Sequence, residues 1–330
     1  MKHWLQGALR RLGYQLVRHR HPPQSIGVHH EERPLPPGFR DRLRSDHPRL
    51  LELRRRYAAA RLPMLAPTWW TAGYVAQSVD LNHFRGDNAY VWQTRHLREA
   101  TPLRYYTYAR DVSERDSMKL FDRLPEDGAF GCWVYRSRRF PALSRDLLDS
   151  VNEINFLDRH AQVGQVDGLN VLDIGAGYGR LAHRCSEALP NLGKYWCTDG
   201  VAESTFLCEA YLEFRACGKA QVLPADELQR LDGERIDLAV NVHSFSEMGI
   251  AAIEGWLDLL GRLAVRRLFI VPNDGDALLS MEADGTRRDF ESSLARRGWR
   301  QAAREPAIAD DDARELVGVN DTLLLFERQP

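Results

Sequence analysis

From Leu169 onward, short apolar runs alternate with longer stretches whose apolar residues recur every three or four positions. The runs at Leu169–Ile174, Tyr195–Thr198, Ala220–Leu223, Ile236–Val240 and Leu268–Val271 have the length and composition of strands. Between them, Leu181–Leu189, Glu203–Cys217 and Ala251–Leu263 read as helices. This alternation predicts right-handed crossovers and a parallel sheet covered on both faces. Gly298–Arg300 and Thr322–Phe326 supply a closing antiparallel pair. The expected fold class is α/β over residues 143–330, entered through an amphipathic helix at Leu143–Leu157.

The pattern before residue 143 differs. Residues 1–20 hold a basic amphipathic helix: Trp4, Leu5, Ala8, Leu9, Leu12, Leu16 and Val17 share one face, with Lys2, Arg10, Arg11 and Arg18 opposite. Such a helix lies in a membrane interface, or docks on the body of the protein or on a second subunit. Residues 21–40 are rich in proline and read as a linker. Residues 41–142 read as a mainly helical, aromatic-rich cap and substrate region, with a helix from Arg42 to Arg61 stopped by Pro63. Trp69, Trp70, Tyr74, Phe84, Tyr90, Trp92, Tyr105, Tyr106 and Tyr108 crowd the middle of that stretch.

Composition refines this picture. The chain has 330 residues, 44% of them hydrophobic, enough for a substantial core. Its net charge of -1 conceals a basic head, with 13 Lys or Arg against 5 Asp or Glu in residues 1–60. That excess suits an anionic partner or a solvated helix face. The five cysteines are odd in number and lack metal-ligand spacing, which argues against a disulfide framework and a zinc site and suits a reducing cytoplasm. Apolar runs of membrane-spanning length are absent, and Arg10 and Arg11 break the apolar region of a signal peptide. The expected location is cytoplasmic, with residues 2–19 as the one candidate for contact with the inner face of a membrane.

The chemistry concentrates at Val171-Leu172-Asp173-Ile174-Gly175-Ala176-Gly177-Tyr178-Gly179-Arg180. A buried strand runs into a tight turn, and a helix follows at once. Glycines allow the turn's unusual dihedrals and let a ligand approach the main chain. A dinucleotide fingerprint would need glycine or alanine where Arg180 stands, and a P-loop would need a closing Gly-Lys-Ser or Gly-Lys-Thr. The G-x-G-x-G turn of methyltransferases remains, with Asp173 near a cofactor amino group, where it would oppose a pyrophosphate. S-adenosylmethionine is therefore the expected cofactor, held by Asp173, Gly175, Gly177, Tyr178 and Gly179. Asp199, at the end of the second strand, is placed to accept from ribose hydroxyls. Asp226, with Glu227 as its neighbour and rival, is placed for an adenine amino group; either aspartate is alternatively a helix cap.

Open parallel sheets bind ligands at the carboxyl ends of their strands. The fourth strand ends in Asn241-Val242-His243-Ser244-Phe245-Ser246-Glu247-Met248, a polar cluster after an apolar run. Asn241 is grouped with the cofactor residues and Ser244 with the substrate. Methyl transfer from a sulfonium needs alignment and removal of the nucleophile's proton, and His243 and Glu247 are the bases available there. His243 alternatively shapes the pocket, and Glu247 alternatively caps the next helix. Neither an Asn-Pro-Pro-Tyr nor an Asp-Pro-Pro-Tyr run occurs, which argues against methylation of nucleic-acid amino groups. Nothing in the motifs calls for a metal, although Asp274 and Asp284 are scattered acids of the kind that hold magnesium.

These two segments, with Phe84-Arg85-Gly86-Asp87-Asn88-Ala89-Tyr90-Val91-Trp92-Gln93 upstream, resemble the bacterial sugar O-methyltransferases over roughly residues 45–330. The resemblance implies a seven-stranded Rossmann-like class I methyltransferase domain with a helical N-terminal cap. It also implies methyl transfer to a hydroxyl of a sugar nucleotide, glycoside or lipid-linked glycan, in surface polysaccharide or a glycosylated natural product. Sugars present apolar C–H faces and many hydroxyls, so Arg85, Asp87, Asn88, Tyr90, Trp92 and Gln93 are expected to line the acceptor site. The alternative places Trp69, Trp70, Phe84 and Trp92 in the cap's own core, with Arg85 and Asp87 as a local ion pair. Two other functions remain compatible with the sequence: methylation of another hydroxylated metabolite, and a cofactor-binding scaffold in a glycan-assembly complex.

Overall fold

The computed structural model describes residues 33–86, 89–90, 101–140 and 142–328. The helix expected over residues 2–19 lies outside them, as do Asp87, Asn88, Trp92 and Gln93. Among the described residues no helix is long and apolar enough to cross a membrane.

Seven strands form one sheet in the order β3-β2-β1-β4-β5-β7-β6, the Rossmann-like arrangement expected. They are β1 Leu169–Ile174, β2 Leu192–Thr198, β3 Ala220–Val222, β4 Leu238–Val242, β5 Arg267–Val271, β6 Trp299–Pro306 and β7 Thr322–Arg328. Only β7 runs against the rest, pairing antiparallel with both β5 and β6. β1 and β4 are central and almost wholly buried, which is why they read as apolar runs without alternation. β6 extends well beyond the Gly298–Arg300 expected for it. As an edge strand it exposes Arg300, Gln301, Ala302 and Arg304, so no hydrophobic pattern marks it.

The helices used below are α1 Phe39–Arg42, α2 Pro48–Ala59, α3 Ala72–Ser78, α4 Thr101–Glu114, α5 Arg145–Ala161, α6 Arg180–Ala188, α7 Ala202–Phe214, α8 Ile250–Arg262, α9 Glu291–Arg296 and α10 Asp311–Val317. The single helix expected from Arg42 to Arg61 is instead split, because Pro48 sits at the first position of α2 and His47 caps it, accepting from the Arg49 amide at 3.2 Å. Ser144 caps α5 by accepting from the Leu147 amide at 3.0 Å.

The core has two faces. Leu169, Val171 and Val240 point toward α5, α6 and α7, while Leu172, Ile174 and Ala239 pack with Trp256, Leu257 and Leu260 of α8. The N-terminal helices join the first face. Leu50 and Leu53 of α2 are fully buried, and Tyr57 shares a hydrogen bond with Thr205 of α7 at 2.8 Å. Arginines flank that apolar seam: Arg49 pairs with Glu209 at 2.6 Å, Arg54 with Glu203 at 2.8 Å and Arg56 with Asp226 at 2.8 Å. Part of the basic head is thus neutralised by acids of this same chain.

Candidate active site

The order of strands reverses between β1 and β4, and a cavity of about 620 Å³ opens at their carboxyl ends. Its wall includes Asp173 at the end of β1, Gly175, Gly177 and Tyr178 after it, Asp199 and Val201 after β2, and His243, Ser244 and Glu247 after β4. Asn273 after β5 and Asp321 before β7 complete that rim, and Met64–Thr68, Trp70, Tyr74, Ala89 and Tyr90 cover it from the N-terminal side.

The turn after β1 has the geometry its glycines require. Gly175, Gly177 and Gly179 have φ of 77°, 56° and 85°, in the left-handed region that penalises a side chain. A Cβ on Gly175 would overlap the Ser244 hydroxyl, so the turns after β1 and β4 touch there. Gly179 lies behind the cavity instead, where a Cβ would sit 2.9 Å from Cys208 Sγ. The Gly177 amide donates to Asp199 Oδ2 at 2.9 Å and the Val201 amide to Oδ1 at 2.8 Å, which aims that carboxylate across the turn.

Burial dominates the titration of both cavity aspartates. Desolvation pushes Asp173 up to about 7 against the hydrogen bond donated by Tyr195 at 2.9 Å. It pushes Asp199 up to about 7 as well, against its two amide donors. Neither carboxylate is ion-paired with a basic side chain among the described residues, so the turn favours a cationic ligand.

The turn after β4 holds the candidate bases. His243 has a φ of 66°, a strained conformation for a side-chain-bearing residue. Its Nε2 faces Asp321 Oδ2 at 3.7 Å and has no hydrogen-bond partner among the described residues. Burial lowers its affinity for a proton, but Asp321 and Glu247 outweigh burial and the net shift is upward. Asp321 also receives Arg145 Nη2 at 3.0 Å, and Arg145 is clamped by Asp149 at 2.7 Å. Glu247 is already occupied: Oε2 accepts from Trp70 Nε1 at 2.8 Å and Oε1 from Asn273 Nδ2 at 3.2 Å. Burial raises its proton affinity against the Trp70 hydrogen bond. Thr68 Oγ1 donates to the Glu247 carbonyl at 2.8 Å, and Trp70 stacks on Tyr90 at 5.4 Å between centroids, so Glu247 fastens the aromatic wall to the sheet.

Several expected site residues lie elsewhere. Asp226 is away from the cavity wall and engaged by Arg56, whose Nε and Nη2 each donate at 2.8 Å; Glu227 accepts from the same guanidinium. Arg85 is fully buried among Glu126, Asp146 and Asp127 and does not reach the cavity. Asn241 is fully buried inside β4, which runs on past the expected Val240. Its Nδ2 donates to the Ile174 carbonyl and its Oδ1 accepts from the Phe245 amide, both at 2.8 Å, so it staples the ends of β1 and β4. Tyr178 lines the cavity and donates its hydroxyl to Asp146 at 2.8 Å. Phe84, Tyr105, Tyr106 and Tyr108 belong to the core, whereas Trp70, Tyr74 and Tyr90 face the cavity.

Trp70, expected in the aromatic-rich region or in the cap's core, faces the cavity, whereas Arg145, Asp149, Tyr195 and Asp321 were not expected at the site. A signal for Asp321 existed: β7 runs against its neighbours, so its amino end shares an edge with the carboxyl ends of the parallel strands. Among the described residues no group of three His, Cys, Asp or Glu side chains is arranged to hold a metal ion.

No protein-family model and no curated protein matches the chain. Solved structures similar to it include a SAM-dependent methyltransferase from Aquifex aeolicus, 17% identical over 51% of this chain and 85% of that one, with a TM-score of 0.37. A magnesium protoporphyrin IX methyltransferase from Synechocystis with bound SAM is 14% identical over 68% of this chain and 97% of that one, with a TM-score of 0.40. A SAM-dependent methyltransferase from Clostridium acetobutylicum is 12% identical over 54% of this chain and 92% of that one, also with a TM-score of 0.40. Likeness at this level does not reach the chemistry, which has to be read from the cavity.

Proposed function

We propose that this protein is an S-adenosylmethionine-dependent O-methyltransferase acting on a hydroxyl of a sugar or glycan, with His243 as the base. The observation that carries the reading is the joining, in one cavity, of a glycine turn bordered by two buried acids and a histidine backed by an aspartate. The cofactor fits what is there. Gly175 and Gly177 carry no side chain into the turn, Asp173 suits an ammonium group, and Asp199 suits a ribose diol. When bound, S-adenosylmethionine supplies a methyl group on a sulfonium centre that departs as a neutral thioether.

The protein's own task is to orient the acceptor and take its proton. His243 Nδ1 accepts the hydroxyl proton while Nε2, 3.7 Å from Asp321 Oδ2, keeps its own. Glu247, with both oxygens engaged, holds Trp70 in place and favours the imidazolium that forms. Trp70, Tyr74 and Tyr90 offer flat faces, and Asn273, Thr68 and Asn320 offer hydrogen bonds, a mixture suited to a carbohydrate.

Titration calorimetry with S-adenosylmethionine tests the cofactor, and transfer of labelled methyl to a panel of sugar nucleotides, glycosides and lipid-linked glycans tests the acceptor. Asp199→Ala should weaken cofactor binding by about 10- to 100-fold, because charge-assisted hydrogen bonds are lost and the Gly177 and Val201 amides are left without their acceptor. An unchanged Kd would remove Asp199 from the cofactor site. A pH series adds a second check. An ammonium ligand prefers ionised Asp173, whose proton is held up to about 7. Affinity should therefore rise on the order of tenfold from about pH 5.5 to about pH 7.5. A flat series would mean that Asp173 does not meet a cation.

A further inference from the structure

We propose that Asp146 and Tyr178 are positioning residues through which a buried cluster of charges fixes the glycine-rich turn. The inference rests on the assignment of that turn to the cofactor. Asp146 stands in the first turn of α5 and is 1% exposed. Its Oδ1 accepts from Arg184 Nε at 2.9 Å and Nη2 at 2.7 Å, and its Oδ2 accepts from Arg85 Nε at 3.1 Å and the Tyr178 hydroxyl at 2.8 Å. Glu126 closes the cluster, with Oε2 accepting from Arg85 Nη2 and Arg184 Nη2 at 2.8 Å and from Ser144 Oγ at 2.6 Å. Two guanidiniums and two carboxylates thus alternate in the interior, and none of them takes part in the chemistry proposed above.

A buried cluster of this kind is weak as a source of stability, because desolvation consumes most of what the charges gain. It is effective as a constraint, since each member has its geometry set by the others. The constraint reaches the turn through Tyr178, the residue between Gly177 and Gly179. Its ring is wedged edge-on against Tyr211 at 5.4 Å and tilted on Phe84 at 5.2 Å, and its hydroxyl is tied to Asp146. Glycines ordered in left-handed conformations lose more chain entropy than other residues, so an untied turn would meet that cost during binding. The tie meets it during folding.

Tyr178→Phe is the direct test, because it removes the tie and keeps the ring. In the unliganded protein, hydrogen exchange of the amides from Gly175 to Gly179 should quicken about tenfold while the β4 and β5 amides keep their rates. The KM for S-adenosylmethionine should rise about tenfold, with kcat at saturation falling no more than about twofold, as expected for a lost hydrogen bond to a charged acceptor. Unchanged exchange in the turn, or a fall in kcat as large as the rise in KM, would overturn the proposal. Should the wild-type protein bind no S-adenosylmethionine, the cofactor assignment fails, and the exchange measurement still decides whether the turn is tied.

Discussion

Replacing His243 with glutamine should lower kcat by about 10²- to 10⁴-fold, the usual contribution of a positioned base, with cofactor Kd changed by no more than about twofold. Glutamine keeps a planar polar side chain in the cavity but has no basic nitrogen. The turn and Asp199, to which the proposal assigns the cofactor, are untouched. Wild-type kcat should rise with pH as the imidazolium gives up its proton. That limb should lie above the ordinary histidine value of about 6.5, because Asp321 and Glu247 outweigh burial. Arg145 faces the same group from α5, paired with Asp149, and Arg180 of α6, paired with Glu153, acts on Asp321. Asp321→Asn removes the nearest anion and should move the limb to lower pH. Steady-state kinetics across the pH range, with calorimetry on each variant, checks all of this. Full activity in His243→Gln would pass the base to another group or abolish the need for one.

The parts of this molecule legible in the sequence are those fixed by short-range rules. β1 was readable to the residue because a central strand is apolar on both faces and ends at a glycine turn. That Gly175, Asp199 and His243 border one cavity was readable because strand ends of an open parallel sheet converge on one edge. What escaped depends on pairing across long stretches of chain. Arg85 stands in a polar segment that looks like a sugar site, yet its partners Glu126 and Asp146 lie 41 and 61 positions away and draw it fully inside. Asp226 follows β3 and was expected to meet an adenine amino group, yet Arg56, 170 positions earlier, occupies both its oxygens. A single sequence shows which side chains carry charge but not which opposite charges the fold will bring beside them.

The same cluster sets the largest expected effect on stability. Asp146→Asn should destabilise the protein by about 3–5 kcal/mol, because Arg85 and Arg184 would then share Glu126 as their one fully buried carboxylate, with only the half-buried Asp127 and Glu187 beside them. Asparagine keeps the shape and the acceptor oxygen, so the loss reports the missing charge more than a cavity. Urea unfolding should show a lower midpoint at constant slope. Acid supplies a check on the cause. Burial alone would raise the proton affinity of Asp146, but Arg85 and Arg184 hold its carboxyl well below the usual range. A depressed carboxyl contributes stability that is present above the unfolded value of about 3.9 and lost as pH falls through the folded one. Asp173 and Asp199 have the opposite sign: raised to about 7, they weaken the unliganded fold as pH climbs from about 4 toward 7. Wild-type stability should therefore fall on both sides of an optimum at about pH 4, and Asp146→Asn should flatten part of the acid side alone, since Glu126 and Asp127 are depressed as well. A variant that unfolds at the wild-type midpoint, or that keeps the full acid limb, would mean the buried arginines do not depend on this carboxylate.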